Sequence, residues 1–236
     1  MTYGGKGFWE VIGKLGIDAV AGQIKTALDA GVNFIDTANV YHESENLLGQ
    51  AIKKLGVARD TLVIATKVLG RTSQDPNGAG LSRKHIFEQV DVSLKRMGLD
   101  YIASRDIERE LVPLCREEGL GIMPWSPLGG GLLSGKFDFT AGKGAEGTRR
   151  ATFDFPVIDK SRAEQCVEAM RPVATEHGVS VAQIALVYLL AKPGVTSVII
   201  GAKTDEQLKD NLAAANVRLT ADQLAKLDEV SALPLE

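Results

Sequence analysis

Apolar residues along this chain follow two alternating periods. Stretches where they recur every three to four residues end at a glycine, and a short, nearly continuous apolar run follows each. Helical patterning over 18–30 stops at Gly31 and gives way to a strand pattern at 32–36. Patterning over 44–55 stops at Gly56 before a strand at 61–67, and patterning over 82–97 stops at Gly98 before one at 99–102. A fourth helix over 105–118 stops at Gly119, followed by a strand at 121–126. Glycine just past a helix adopts the left-handed conformation that other residues resist, so these stops have a physical cause. Apolar runs without alternation are what a parallel sheet covered by helices requires.

The last third continues in the same way. Ser180 and Gln183 form a capping box for a helix that ends before Pro193, a strand spans 195–200, and Thr204 with Gln207 caps a helix to about 215. Thr220 with Gln223 caps a final amphipathic helix. Alternating β and α units with short αβ turns predict a parallel α/β fold, either a barrel or a doubly wound sheet. With no linker visible, residues 1–236 read as one domain. Residues 129–160 predict a long irregular loop, and a loop above ~15 residues inside a compact domain is usually a functional lid or a disordered segment. Counting a strand tail at 1–3, six strands are found, whereas eight βα units would share the 236 residues at 29.5 each. The irregularity is local: only Ala103 and Ser104 separate a strand ending at Ile102 from a helix beginning at Arg105.

Composition narrows the function. Hydrophobic residues make up 44% and charged ones 24%, an ordinary globular balance, and the net charge of −3 speaks against a nucleic-acid surface. The longest greasy run, 184–191, is far short of a membrane helix. Residues 1–5 do not read as a signal peptide, and Cys115 and Cys166 both fall inside helical patterns, so a reducing cytoplasmic setting is expected. His42, His85 and His177 are widely spaced and form no metal-ligand pattern; His85 and His177 read as helix-surface residues. Nothing points to an oligomer, and a monomer is the default.

Three groups of residues carry chemistry. Asp36 ends one strand, Tyr41 lies five residues on in the next loop, and Lys67 ends the following strand. In a parallel α/β barrel all three sit at the carboxyl ends of adjacent strands, where catalytic groups converge. Individually an Asp caps helices, a Tyr packs and a Lys is solvated; in register they form an acid–base set. A lysine ammonium is expected to stabilise the phenolate and lower the tyrosine pKa, with the carboxylate fixing the lysine. Such a set suits protonation of a carbonyl oxygen as hydride reaches the carbon. The second group is Trp125, Ser126, Pro127, Leu128 and Gly129 with Gly130 and Gly131, where an indole can stack on a planar ring and a glycine backbone can meet a pyrophosphate. The third runs from Gly201 through Lys203 into the helix capped by Thr204, an anion site made of free N–H groups after the last strand. No G-x-G-x-x-G follows the first strands, against a Rossmann domain.

Together these groups resemble the aldo-keto reductases, and the similarity spans nearly the whole chain. Residues 31–41 resemble the family's Asp/Tyr segment, and residues 64–67 its lysine strand. Residues 125–128 with Gly135 and Lys136, and residues 201–211, resemble the cofactor segments of its bacterial and potassium-channel-β-subunit-like branches. The resemblance implies a (β/α)8 barrel that reduces small-molecule carbonyl substrates with NADP(H). Tyr41 would be the general acid, tuned by Lys67 and Asp36, and Trp125 would flank the nicotinamide. Ser126, Pro127, Leu128, Gly129 and Lys136 would line the pyrophosphate, while Gly201, Lys203, Gln207, Asp210 and Asn211 would hold the adenosine 2′-phosphate end. Two other functions compete: a cofactor-binding regulatory subunit with little turnover, and a Schiff-base aldolase using Lys67.

The sequence departs from the family between strands four and six. Residues 99–102 resemble the start of strand four, and the chain resumes at Ser104 with a segment resembling the region after strand six. The family's catalytic histidine and the Asn and Gln that contact the nicotinamide amide are therefore absent. At ~30 residues per βα unit, about 60–75 residues are lacking. Removing two adjacent inner strands would open a barrel and expose two apolar edges. The expectation is thus that 102–104 join two segments of a longer parent chain, and that a genuine deletion would leave a poorly folding, inactive protein. Intact-mass measurement is expected to exceed 25.2 kDa; a mass of 25.2 kDa would refute the longer parent.

Overall fold

In the computed structural model the chain divides into two compact units, Met1–Arg109 with Gly201–Leu208, and Glu110–Ile200 with Lys209–Glu236. The structure describes residues 2–6, 10, 12–99, 103–104, 122–144, 146, 148–154 and 158–232. The expected helix at 105–118, Cys115 and most of the strand at 99–102 lie outside the described residues.

The first unit is a run of alternating strands and helices. Helix α1 (Ile17–Asp29) leads to β1 (Phe34–Asp36), α2 (Ser44–Leu55), β2 (Val63–Thr66), α3 (Arg83–Met97) and β3 (Ala103–Ser104). The three strands form a parallel sheet in the order β1-β2-β3, with Asp36 opposite Ala65 and Thr66 opposite Ser104. This register brings the carboxyl ends of β1 and β2 side by side. The core packs Val20 and Ile24 of α1, Leu48 and Ile52 of α2, Ile64 of β2 and Met97 of α3. These are the apolar positions of the helical and strand periods, and burying each removes roughly 1.5–3 kcal/mol worth of side chain from water. Gly56 and Gly98 close α2 and α3 in the left-handed conformation, as their positions predict.

Two expectations are corrected here. Ala103 and Ser104, read as a bare linker, are themselves the strand that pairs with β2; two residues are too short to show a period, and only the partner reveals them. His85, read as a helix-surface residue, is buried on the inner face of α3 with Gln89 and Ser93. That face is polar, so the apolar period could not mark it.

In the second unit, Ile122 and Val195 form a parallel bridge, extended by the Thr196 amide donating to the Ile122 carbonyl and that of Ile199 to the Pro124 carbonyl. Helices α4 (Lys160–His177), α5 (Val181–Leu190) and α7 (Ala221–Ser231) pack around Val167, Met170, Ile184, Val187 and Leu227. Ser180 and Thr220 make the predicted capping boxes with Gln183 and Gln223. Helix α6 (Asp205–Ala213) begins in the first unit and ends in the second. Residues 129–160 are less irregular than expected: they contain a 3-10 turn at Gly129–Ser134 and a hairpin of β4 (Phe137–Asp138) with β5 (Lys143–Gly144). Parallel strands alternate with helices as an α/β fold requires, and the sheet in the first unit has three strands among the described residues. No single helix among them is long and apolar enough to cross a membrane.

Candidate active site

Asp36, Tyr41 and Lys67 are brought together at the ends of β1 and β2. The Lys67 ammonium donates to Asp36 Oδ2 at 2.5 Å and to the Thr37 carbonyl at 3.0 Å, and lies over the Tyr41 ring, 5.4 Å from its centroid. The Asp36 side chain is nearly buried, and its Oδ1 has no hydrogen-bond partner among the described residues. Burial, reinforced by the Asp36 charge, pushes the Tyr41 phenol up to about 12. That reverses the expectation that Lys67 lowers it: the lysine charge is committed to Asp36, and desolvation of the phenolate dominates. The phenol is therefore a firm proton holder at neutral pH. It remains a much stronger acid than an alcohol, so an alkoxide forming beside it would take its proton.

The loop carrying Tyr41 is tied to its surroundings. The Asn39 amide donates to the Lys67 carbonyl at 3.2 Å, and the Asn39 side chain donates to Gln89 at 3.0 Å. The hydroxyls of Thr37 and Ser44 meet at 3.0 Å. Gly70 lies so close to Val40 that a Cβ there would meet Val40 Cγ1 at 2.5 Å. Beneath the loop, the fully buried Glu45 accepts from Thr66 Oγ1 at 2.8 Å and from Arg96 Nη1 at 3.1 Å, and the same Arg96 nitrogen donates to the Asn39 carbonyl at 2.9 Å. Sequence reasoning missed Glu45, which looks like an ordinary acidic residue in the first turn of a helix. Its signal is positional: it stands three and seven residues before Leu48 and Ile52, on the buried stripe of α2.

In the second unit the segment after Pro124 turns sharply. Ser126 has φ of +53°, and Gly129, Gly130 and Gly131 have φ of +57°, +66° and +100°. Successive left-handed residues are accessible only to glycine at low cost, and here they fold the turn on itself: the Gly129 amide donates to the Ser126 carbonyl at 2.8 Å and the Gly131 amide to the Leu128 carbonyl at 2.9 Å. Ser126 and His42, the latter next to Tyr41, are the two non-glycine residues with positive φ among the described residues, and each adjoins a sequence-predicted site residue. Such strain persists where surrounding structure holds it and tends to gather at functional sites. Ser126 Oγ accepts from the Gly130 amide, and the buried Arg150 donates to the Gly129 carbonyl at 2.6 Å. Pro127 is buried, Trp125 and Leu128 half-buried, and Lys136 exposed.

The segment expected to bind a phosphate is partly self-capped. Gln207 accepts from the Lys203 amide at 2.9 Å and gives its own amide to Thr204. Gly201 is exposed with open space where a Cβ would stand. An arriving anion at Lys203 would replace Gln207. Asp210 accepts from Ser180 at 2.9 Å and from Gln183 through its carbonyl, which ties α6 to the start of α5, and Asn211 is buried. Among the described residues no cluster of His, Cys, Asp and Glu is arranged to hold a metal ion.

A lysine ammonium set between a carboxylate and a phenol, at the ends of adjacent parallel strands, is equipment for acid–base chemistry at a carbonyl. The chain belongs to the aldo/keto reductase family, oxidoreductases of carbonyl compounds: the family profile matches residues 1–104 and again 101–232. Proteins named as voltage-gated potassium channel subunit beta are similar in sequence. That of Arabidopsis thaliana is 29% identical, with 95% of this chain and 91% of the relative covered, and that of Oryza sativa subsp. japonica is 28% identical with the same coverage. That of Schizosaccharomyces pombe is 29% identical over 100% of this chain and 89% of its own length. The Arabidopsis alignment runs over 303 positions, 67 more than this chain's 236 residues. The two profile matches change over at 101–104, where the strand count had placed the lacking segment.

Proposed function

We propose that this chain reduces small aldehydes and ketones to alcohols with NADP(H), in the cytosol. The observation that carries the reading is the Asp36–Lys67 ion pair lying over Tyr41 at two adjacent strand ends. The residues present suit the cofactor: open space at Gly131 and Gly201 permits close approach of a ligand, and Lys203 supplies a cation. Trp125, Ser126, Pro127, Leu128, Gly129 and Lys136 would hold the nicotinamide and pyrophosphate, and Gly201, Lys203, Gln207, Asp210 and Asn211 the 2′-phosphate end. When bound, the reduced cofactor would supply a hydride, which carries both electrons of the reduction, to the carbonyl carbon. Tyr41 gives its proton to the carbonyl oxygen and regains one from water, while the Lys67 ammonium, held by Asp36, offsets the transient charge of the phenolate. An aldolase role for Lys67 fits less well, because a nucleophilic amine would have to leave both Asp36 and the Thr37 carbonyl.

A second reading has its own support. Relatives named as channel β subunits, together with the segment lacking at 102–104, favour a cofactor-binding regulatory subunit with little turnover. Mixing the protein with NADPH and a panel of aldehydes separates the two. Loss of NADPH absorbance is expected for the reductase; tight binding by NADPH fluorescence without oxidation would establish the regulator instead.

The Tyr41 environment also predicts a pH dependence. The phenol is pushed from 10.0 to about 12, so the folded state holds its proton more tightly than the unfolded state. Stability contributed by this group is complete below pH 10 and is lost as pH rises towards about 12, with half-buried Tyr3 acting in the same direction. Thermal unfolding of wild type and Tyr41→Phe across pH 9–12 is expected to show a steeper loss in wild type; parallel curves would contradict the assignment.

A further inference from the structure

We infer that Glu45 and Arg96 are positioning residues for the proton donor, holding the Tyr41 loop and the Lys67 strand end in one fixed relation. The inference rests on the reductase reading of the Asp36, Tyr41 and Lys67 site. Glu45 is wholly buried, and its two oxygens are divided between the two structures the site depends on. One accepts from Thr66, whose neighbour in sequence is Lys67. The other accepts from Arg96, and the same guanidinium nitrogen donates to the Asn39 carbonyl, two residues before Tyr41. The Asn39 amide returns to the Lys67 carbonyl, closing a ring of contacts around the two strand ends.

Stability alone is a weak reason for such a pair. Burying a carboxylate costs several kcal/mol, which the partner's attraction only about repays, and well-packed apolar residues of similar volume often stabilise a fold as well or better. A charge-assisted network does something apolar contacts cannot, since its hydrogen bonds fix direction as well as distance. Arg96 comes from the last turn of α3, Glu45 from the first turn of α2 and Thr66 from β2, so three separate elements set the height of one loop. A displacement of about 1 Å at a reacting group can cost on the order of 100-fold in rate. The network therefore acts on kcat through Tyr41, and touches neither cofactor segment.

The experiment compares wild type with Arg96→Met, Arg96→Lys and Glu45→Gln, each checked for folding by circular dichroism. Arg96→Met is expected to lower kcat for aldehyde reduction by ~10- to 100-fold with NADPH affinity unchanged. Arg96→Lys should recover most of the loss, because both contacts come from a single nitrogen that an ammonium can replace. Ultraviolet titration of the Tyr41 phenol, taken as the difference between each protein and its Tyr41→Phe counterpart, supplies a readout that needs no turnover. The midpoint should move from about 12 towards the ordinary 10.0 in Arg96→Met and Glu45→Gln and stay high in Arg96→Lys. Should wild type reduce no aldehyde, the reductase reading fails, and this titration still decides the positioning role. A folded Arg96→Met with unchanged kcat and unchanged titration would overturn the inference. If Arg96→Met does not fold, Glu45→Gln decides by the same two measurements.

Discussion

Tyr41→Phe is expected to lower the rate of aldehyde reduction by roughly 10²–10⁴-fold, the usual contribution of a positioned general acid, while leaving NADPH binding nearly intact. The substitution removes one oxygen and keeps the ring, so the half-buried aromatic body and its contact with the Lys67 ammonium survive. What is lost is the proton that an alkoxide would take. Without it, charge left on the substrate oxygen would have to be met by Lys67, whose ammonium is already divided between Asp36 and the Thr37 carbonyl. Steady-state kinetics with one reactive aldehyde, alongside fluorescence titration with NADPH, reads both quantities. Unchanged turnover would remove Tyr41 from the mechanism, and a parallel collapse of NADPH affinity would point to a folding defect.

Gly49→Ala is expected to cost about 3 kcal/mol or more, the upper end for overpacking a core. Gly49 lies where α2 crosses the end of α3, and a Cβ there would stand 2.1 Å from the Met97 carbonyl oxygen, with the Met97 Cα and carbonyl carbon also under 3 Å. These are backbone atoms and cannot rotate aside, so α2 would have to withdraw from α3. That would open the cluster around Leu48, Ile52 and Met97 and pull on the Glu45–Arg96 contact between the same two helices. Gly22→Ala on the exposed face of α1, where nothing lies within 4 Å of the new Cβ, is the matched control and should gain up to about 1 kcal/mol from helix propensity. Urea denaturation of the three proteins tests the pair. Equal midpoints for Gly49→Ala and wild type would mean that the helices do not approach this closely.

Much of the frame was legible beforehand. The three capped starts at Ser82, Ser180 and Thr220 and the left-handed stops at Gly56 and Gly98 stand within a residue of their expected places, because capping and left-handed termination are local chemistry. The strand ends carrying Asp36 and Lys67 were equally readable, since a continuous apolar run ending in a charged residue marks where a buried strand meets its loop. The polar interior was not. His85, Gln89 and Ser93 form a buried stripe on α3 that hydropathy assigns to solvent, and Glu45 looks like a surface charge until Thr66 and Arg96 are placed beside it.

By itself the sequence determined most of the described helices and where they stop, the strands ending at Asp36 and Thr66, and that an acid, a phenol and an amine stand at the ends of neighbouring strands; among the described residues the strands expected at 121–126 and 195–200 amount to one bridge between Ile122 and Val195. It also located the interruption at 102–104, because a repeating βα unit makes a missing unit countable. Only the tertiary structure decided the acidity of Tyr41, the role of the two residues at 103–104, and the partners of the buried charges. Helix period, capping and termination depend on neighbours a few residues away, so they can be read along the chain. Desolvation and ion pairing depend on which distant groups share one low-dielectric volume, and folding alone brings Asp36 within 2.5 Å of Lys67, 31 residues on.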